Sequence, residues 1–351
     1  MSDIQFTDSV NQDPLEIANF LKLHDPAFFA SEYQIYEPTK AVFIAARLEG
    51  RLVGTQALIP YPLTVNGRLV TSGRSERTMA DPKLRGGGLF QKLMEECARR
   101  GFEKELEFIW GTTTAKVAFQ RNGFLYFDKF LEHSITCINP FSIFANLREP
   151  QSGRLRVAKL VTALPSLFLR VARIFGGMRG LQIEDTPRDA EDVAKLLEEL
   201  RGTAPMVFMH HEHGFLKWQL DGTNRNILRF YGYRANDLRA YAYFDVSPGA
   251  TTELIDFGGL APDLRVLLRY SLQTLAGRGV VFVHATYNAR NPLLKRARDA
   301  LILNGFIPFY RGGGFVVRPL RSKDMTYLSD LSRWYITQLW IQIYRMDKQG
   351  H

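Results

Sequence analysis

The residues with most chemical potential lie together at positions 78–90, Thr-Met-Ala-Asp-Pro-Lys-Leu-Arg-Gly-Gly-Gly-Leu-Phe. The run reads as the end of a strand, a tight glycine turn and the opening of a helix. Leu89, Phe90, Leu93, Met94, Cys97 and Ala98 recur at helical spacing, Gln91, Lys92, Glu95, Glu96 and Arg99 fall on the opposite side, and Gly101 reads as a stop. Gly86, Gly87 and Gly88 would present bare backbone N–H groups at the positive end of that helix, with the charge of Arg85 beside them. Such a place takes an anion, and a phosphate is the natural one. A Walker loop needs Gly-Lys-Ser/Thr where Leu89-Phe90 stands, and a dinucleotide fingerprint needs glycine where Gln91 stands.

The spacing Arg85-x-x-Gly88-x-Phe90 resembles the acyl-CoA pyrophosphate loop of the GNAT acyltransferase superfamily, Q/R-x-x-G-x-G/A, and Ala80-x-Pro82 resembles that family's strand exit. Phe90 departs from the final Gly/Ala. A second motif follows in the right order: an apolar run Leu106 to Trp110, the turn and capping residues Gly111 to Thr114, a short helix from Ala115 to Arg121, and Asn122-Gly123-Phe124. The resemblance covers Ala41 to about Cys137. It implies that Arg85, Gly86, Gly87, Gly88, Leu89 and Phe90 hold the pyrophosphate of acetyl-CoA or another acyl-CoA. It further implies that the main chain of Met79 and Ala80 runs along the pantetheine arm, one N–H polarising the thioester carbonyl.

Acyl transfer to an amine also needs a proton acceptor, since an alkyl ammonium titrates near about 10. Glu76 is the candidate, on a strand face expected to include Thr78 and Ala80, because many members of the family place a carboxylate nearby; its alternative is a surface ion pair with Arg74 or Arg77. Asp81, before Pro82, reads better as turn chemistry. Many GNAT enzymes protonate the leaving thiolate with a tyrosine four residues before the glycine of the Gly-Phe pair; that position is Phe119 here, leaving Thr112, Thr113 or a water as substitutes.

The elements that must position these residues begin with a helix from Asp13-Pro14 to Leu23. Strands follow over Ala41 to Leu48 and Leu52 to Leu63, with an Asn66-Gly67 hairpin signal before the strand that feeds the loop. Phe127 to Ile138 supplies one or two closing strands. From Asp189 the programme restarts: a helix to Arg201, strands over Ile227 to Tyr233, Leu238 to Val246 and Glu253 to Phe257, a helix over Pro262 to Ala276, a strand over Val280 to Ala285, and a helix from Asn291-Pro292 to Asn304-Gly305-Phe306. The repeat of Asn-Gly-Phe about half the chain later points to two GNAT-like domains in tandem. The fold class is α/β (α+β): two mixed, mostly antiparallel sheets flanked by helices. The division expected is an acyl-CoA-binding domain over 1–140, a basic amphipathic connector over 141–186 and a degenerate second domain over 187–351. In the second half Leu260-Ala261-Pro262-Asp263 enters the helix with no glycine nest, and Asp263 would satisfy the helix dipole and repel a diphosphate.

A length of 351 residues suits two domains, and a net charge of +9 favours an anionic partner. The two cysteines, Cys97 and Cys137, make no disulfide framework, no export signal or bilayer-spanning run is visible, and a reducing cytoplasm fits best. Leu155 to Phe175, interleaved with arginines, could lie on an acidic membrane surface as a peripheral contact over 154–175, or pack as a connector. His210, His211 and His213 lack a cysteine partner, so no metal is expected. Tyr287, Asn288, Arg290 and Asn291 could meet a polar acceptor, and Gly312-Gly313-Gly314 reads as a hairpin turn. The function expected is an acyl-CoA-dependent N-acyltransferase acting on the amine of a small molecule or amino sugar. The alternatives are a non-catalytic acyl-CoA-binding or sensing protein, and an aminoacyl-tRNA-dependent transferase, which predicts a tRNA-sized basic groove; nucleic acid is not otherwise expected, since the arginines are scattered rather than packed into one block, and the oligomeric state is not legible.

Overall fold

The computed structural model describes residues 4–8, 13–22, 36–84, 86–140, 153–162, 180–221, 226–246, 251–321 and 326–341. The described residues form two compact units, both discontinuous in sequence: those up to Asp128 with those of Gly313–Asp330, and those of Lys129–Gly312 with those from Leu331 onward.

In the first unit a short strand, β1 (Gln5–Asp8), precedes helix α1 (Pro14–Phe20), where the Asp13 carboxylate accepts the Leu15 N–H at 2.9 Å and Pro14 occupies the first turn. Strands β2 (Val42–Leu48), β3 (Arg51–Val65) and β4 (Arg68–Ala80) form the antiparallel meander. Asn66 and Gly67 turn the second hairpin with φ of 52° and 84°, the left-handed pair that Asn-Gly tolerates. Helix α2 (Leu89–Glu103) then returns the chain to β5 (Phe108–Thr112), which pairs parallel to β4, and helix α3 (Lys116–Arg121) leads into β6 (Leu125–Cys137). The predicted apolar stripe of α2 buries Leu89, Leu93, Met94, Cys97 and Ala98 against Val42, Ile44, Ala46, Val53, Leu58 and Ile109. Each of the larger side chains contributes about 1.5–3 kcal/mol by leaving water. Gly101 does not stop this helix but lies inside it, because a Cβ there would come within 2.9 Å of Leu320 Cδ1.

The second unit repeats the order. Strand β7 (Gln182–Glu184), helix α4 (Asp192–Arg201), strand β8 (Val207–Met209) and the single turn α5 (His213–Leu216) precede a meander of β9 (Ile227–Arg234), β10 (Asp237–Asp245) and β11 (Thr251–Gly259). Helix α6 (Ala261–Gly277) leads to β12 (Phe282–Asn288), which pairs parallel to β11 as β5 does to β4; α7 (Pro292–Ile302) leads to β13 (Ile307–Pro319). A short strand β14 (Trp334–Tyr335) pairs parallel with β8. The fold is thus α/β, its strands mixed and mostly antiparallel and flanked by helices, with the same order of elements in each unit.

The closing strands explain the discontinuity. Residues Leu131–Cys137 of β6 pair antiparallel with β12 in the second unit, and Phe315–Pro319 of β13 pair antiparallel with β5 in the first. Each unit is therefore closed by a strand from the other half of the sequence. β6 is one strand rather than two, and Gly312-Gly313-Gly314 lies inside β13 instead of turning a hairpin. The reason is close approach: a Cβ on Gly312 would meet the Tyr310 ring at 2.3 Å, and one on Gly314 would meet the Thr113 carbonyl oxygen at 2.3 Å.

Of the predicted connector, a helix over 153–162 is described, with Ala158, Lys159 and Thr162 buried and Val157, Leu160 and Val161 exposed; 141–152 and 163–179 lie outside the described residues. Among the described residues no helix is long and apolar enough to cross a membrane.

Candidate functional site

The site begins with a fault in β4. Register runs Ala57↔Glu76 and then Thr55↔Met79, so Arg77 and Thr78 together oppose the single residue Gln56. Arg77 takes a left-handed φ of 52°, its carbonyl accepting from Thr55 Oγ1 at 2.8 Å. Gln56, fully buried, fills the bulge: its Nε2 donates to the Ala57 carbonyl at 2.9 Å and to Ser75 Oγ at 3.0 Å, while its Oε1 accepts from Thr78 Oγ1. A glutamine within a strand that is otherwise almost wholly apolar was the sequence signal for this buried polar anchor. Ahead of the bulge β4 and β5 part company. Their parallel register holds Gly73↔Ile109 and Arg74↔Trp110, while β4 continues to Ala80. Asp81 N donates to Val53 O at 2.8 Å, so by alternation the Ala80 N–H points away from β3, toward the side on which β5 has separated.

The bulge also changes the phase of the strand. Ala57 and Thr55 share a face, hence so do their partners Glu76 and Met79, and Ala80 lies on the other. The expectation that Glu76, Thr78 and Ala80 share one face is therefore corrected, because the extra residue shifts the alternation by one. Ala80 packs against the α2 core. Glu76 lies across the sheet from it, its Oε1 2.6 Å from Arg74 Nε. Arg74, 3% exposed, donates to the Tyr61 hydroxyl at 2.9 Å and lies over the rings of Tyr61 and Trp110. Trp110 Nε1 in turn donates to Ser72 Oγ at 2.9 Å. The result is a carboxylate aimed by a buried guanidinium that is itself held by two aromatic rings; sequence reading had found Glu76 and its ion-pair alternative but not Tyr61 or Trp110.

At the strand exit Asp81 is a turn former. Its Oδ1 accepts the Lys83 N–H at 2.9 Å and its Oδ2 the Arg51 guanidinium at 2.8 Å, and these bonds hold its carboxyl below the usual range. A 3₁₀ turn over Pro82–Leu84 follows. Arg85 lies outside the described residues. Gly86 and Gly88 are exposed, with φ of 85° and 74°, and a Cβ on either would meet nothing within 4 Å. Gly88 is the N-cap of α2, no side chain caps the helix, and its first turn holds no acid. The first-turn amides of Leu89 and Phe90 therefore retain their donor capacity beside open space. One amide of the three glycines is committed elsewhere, Gly87 N donating to Leu84 O at 3.1 Å.

The two departures from the family pattern meet each other. Phe90 and Phe119 pack edge to face with centroids 5.5 Å apart, and Phe119 packs likewise on Phe124 at 5.1 Å. Thr113 Oγ1 accepts the Ala115 N–H at 3.0 Å, a turn role, and Thr112 is exposed at the end of β5. A phenol that sequence reading missed, Tyr126, has its hydroxyl against Gly314 beside the Thr113 carbonyl; burial, then Asp128, pushes it above its ordinary range, so it stays protonated.

In the second unit the predicted polar cluster proves structural. Tyr287 donates to Glu132 Oε1 at 2.8 Å, Asn288 to the carbonyls of Leu331 and Trp334 at 2.8 Å each, and Asn291 caps α7 while donating to Ser332 O. All three are buried, which removes them from contact with an acceptor. No group of three or more metal-ligating side chains occurs among the described residues.

Residues 14–126 match the family model of the GNAT acetyltransferase domain. No curated protein compared with the sequence matches it significantly. Among solved structures, a conserved protein of unknown function from Enterococcus faecalis V583, a probable N-acyltransferase, is similar at 11% identity and a TM-score of 0.58, covering 92% of this chain and 73% of that one. A GCN5-related N-acetyltransferase from Anabaena variabilis is similar at 11% identity and a TM-score of 0.58, covering 91% and 73%. The N-myristoyltransferase of Saccharomyces cerevisiae, solved with bound myristoyl-CoA, is similar at 12% identity and a TM-score of 0.51, covering 90% and 82%. At such identities the structures speak to fold alone, and the family model speaks to residues 14–126, which are similar to a GNAT acetyltransferase domain.

Proposed function

We propose that this chain is a cytoplasmic acyl-CoA-dependent N-acyltransferase that transfers an acyl group, acetyl in the simplest case, to the amine of a small molecule or amino sugar. The observation that carries the reading is the parting of β4 from β5 beside the uncapped N-terminus of α2. In this reading the amides of Gly86, Gly88, Leu89 and Phe90, with Arg85, hold the diphosphate, and the main chain of Met79 and Ala80 aligns the pantetheine arm. The Ala80 N–H stabilises the oxyanion that forms as the amine nitrogen attacks the thioester carbon. Glu76 takes the ammonium proton, the C–N bond forms, the C–S bond breaks, and the CoA thiolate collects a proton from Tyr126, from Thr112 or Thr113, or from water. An acyl-CoA donor is supported by the yeast structure of similar fold, which holds myristoyl-CoA. The linear division into a donor-binding domain over 1–140, a connector over 141–186 and a degenerate second domain over 187–351 belongs to the same reading.

The test is thermal unfolding with acetyl-CoA and longer acyl-CoAs. Ligand at a hundred times its dissociation constant should stabilise by about 2.7 kcal/mol, and Arg85→Glu should erase the shift; an unchanged shift removes the loop from the donor site. Thiol release with an amine panel then follows catalysis, and Glu76→Gln should lower kcat/KM by about 10²–10⁴-fold with the acyl-CoA shift retained. The packing of Phe119 between Phe90 and Phe124, where a hydroxyl would otherwise serve, favours one second reading, an acyl-CoA-binding protein without turnover. It predicts stoichiometric binding and no thiol release with any amine.

A further inference from the structure

The histidines at 210–213 have no part in the donor site, yet one of them sits in a configuration built for proton and hydrogen-bond chemistry. His211, 3% exposed, places Nε2 2.7 Å from Asp256 Oδ2. Asp256 is itself held from behind: its Oδ1 accepts from Thr337 Oγ1 at 2.8 Å and from the Phe257 N–H at 3.0 Å. A carboxylate only accepts, so a neutral His211 carries its proton on Nε2 and a lone pair on Nδ1. That Nδ1 is buried and has no hydrogen-bond partner. A buried acceptor left unmatched costs stability, which makes it a position where a ligand donor is rewarded.

The ring borders a cleft of about 400 Å³, counting the open solvent at its mouth, shared with His213, Lys217, Arg229, Tyr231 and Tyr243. The phenols are ordered, Tyr231 donating to the Tyr243 hydroxyl at 3.1 Å, and Arg229 lies over the Tyr243 ring at 6.0 Å. None of the residues lining the cleft is acidic, while Lys217 and Arg229 bring positive charge to it. An ammonium is therefore disfavoured and an anion favoured, while the His211 lone pair asks for an O–H donor. We propose that this cleft of the second unit, floored by the Asp256–His211 pair, is a binding site for a small anion bearing a hydroxyl group, with the hydroxyl donating to His211 Nδ1 and the charge met by Lys217 and Arg229.

The site stands apart from the acyl-CoA reading, so its test needs no acyl-CoA. Calorimetric titration of the full chain with glycerol 3-phosphate and with glycerate, a phosphate and a carboxylate, measures the two kinds of anion; glycerol, which has no charge, and sulfate, which has no hydroxyl at neutral pH, are the controls. At least one hydroxylated anion should bind about tenfold or more tighter than either control, the worth of one good hydrogen bond or one ionic contact. His211→Gln keeps a donor toward Asp256 but takes the acceptor away from the ring Nδ1 position, its amide oxygen lying elsewhere, and should return binding to the control level. Lys217→Glu, at an exposed position, should weaken binding by about tenfold without altering Tm, and decides the matter should His211→Gln fail to fold. The His211 Nδ1 nitrogen resonance should move on titration with the tighter anion. Absence of binding by both anions, or binding that survives both substitutions, overturns the proposal. An acetyl-CoA shift unchanged in both variants shows that the donor site is untouched.

Discussion

The two strand-to-helix junctions, β4 into α2 and β11 into α6, occupy the same step of the repeated topology and carry opposite electrostatics. At α2 the first turn holds no acid, no side chain caps the helix, and two glycines with positive φ face open space. At α6 the first turn holds Asp263, 5% exposed, accepting from Arg234 Nε at 2.8 Å and Nη2 at 2.7 Å. One positive helix end carries no acid of the chain; the other is met by Asp263. Both central strands nevertheless keep a bulge, at Arg77–Thr78 in β4 and between Leu254 and Asp256 in β11, and an ordered carboxylate beside it: Glu76 with Arg74, Asp256 with His211. The two junctions thus share a bulge with a carboxylate beside it and differ in whether the helix end carries an acid of its own.

Acid should separate the two units most strongly. Burial, then the neighbouring His284, lowers His133 in the second unit to about 4. The unfolded chain then binds the proton first, so stability falls as pH drops from about 6.5 through 4, by no more than about 3 kcal/mol. In the first unit hydrogen bonds from Arg99 and Arg100 hold Glu96 at about 2, so its contribution is lost only as pH falls from about 4.5 through 2. Hydrogen exchange at pH 7 and pH 4.5 should show protection lost first in the second unit, and His133→Phe should flatten that loss; equal loss in both units would break the contrast.

A smaller effect comes from Asp263→Ala, which removes the acid from α6 and should destabilise by about 2 kcal/mol in denaturant unfolding. It should not create acyl-CoA binding, because no glycine nest accompanies it. Smallest in stability is the converse, Gln91→Glu in the first turn of α2. The gain at the helix end, about 0.3–1 kcal/mol, is largely offset by repulsion from Glu95 one turn on, about 0.2–0.5 kcal/mol. Acetyl-CoA affinity, read by the thermal shift, should nevertheless fall roughly threefold to tenfold. An undiminished affinity would mean that the two junctions differ in sequence and not in use.

Much of this was legible residue by residue. Asp13-Pro14 opens a helix, Asn66-Gly67 turns a hairpin and Asn291-Pro292 caps α7, since each depends on contacts within a few residues. The stripe of α2 was readable because burial repeats with the helical period. Glu76 was misassigned to the face of Ala80 because a bulge leaves no periodic trace, and Gly312 to Gly314 were misread because the rings that demand glycine there include one from a distant strand, Tyr126.

The sequence by itself determined the order of the elements, the tandem repeat and the bare glycine turn ahead of Leu89, all of which follow from local backbone preference and hydrophobic period. Tertiary structure alone decided that β6 closes the second unit and β13 the first, that the rings of Tyr61 and Trp110 hold Arg74, and that His211 meets Asp256. Those partnerships join residues far apart in the chain. They are chosen by which edges and faces remain unsatisfied once the sheets have formed, a property of the assembled backbone that no short window of sequence contains.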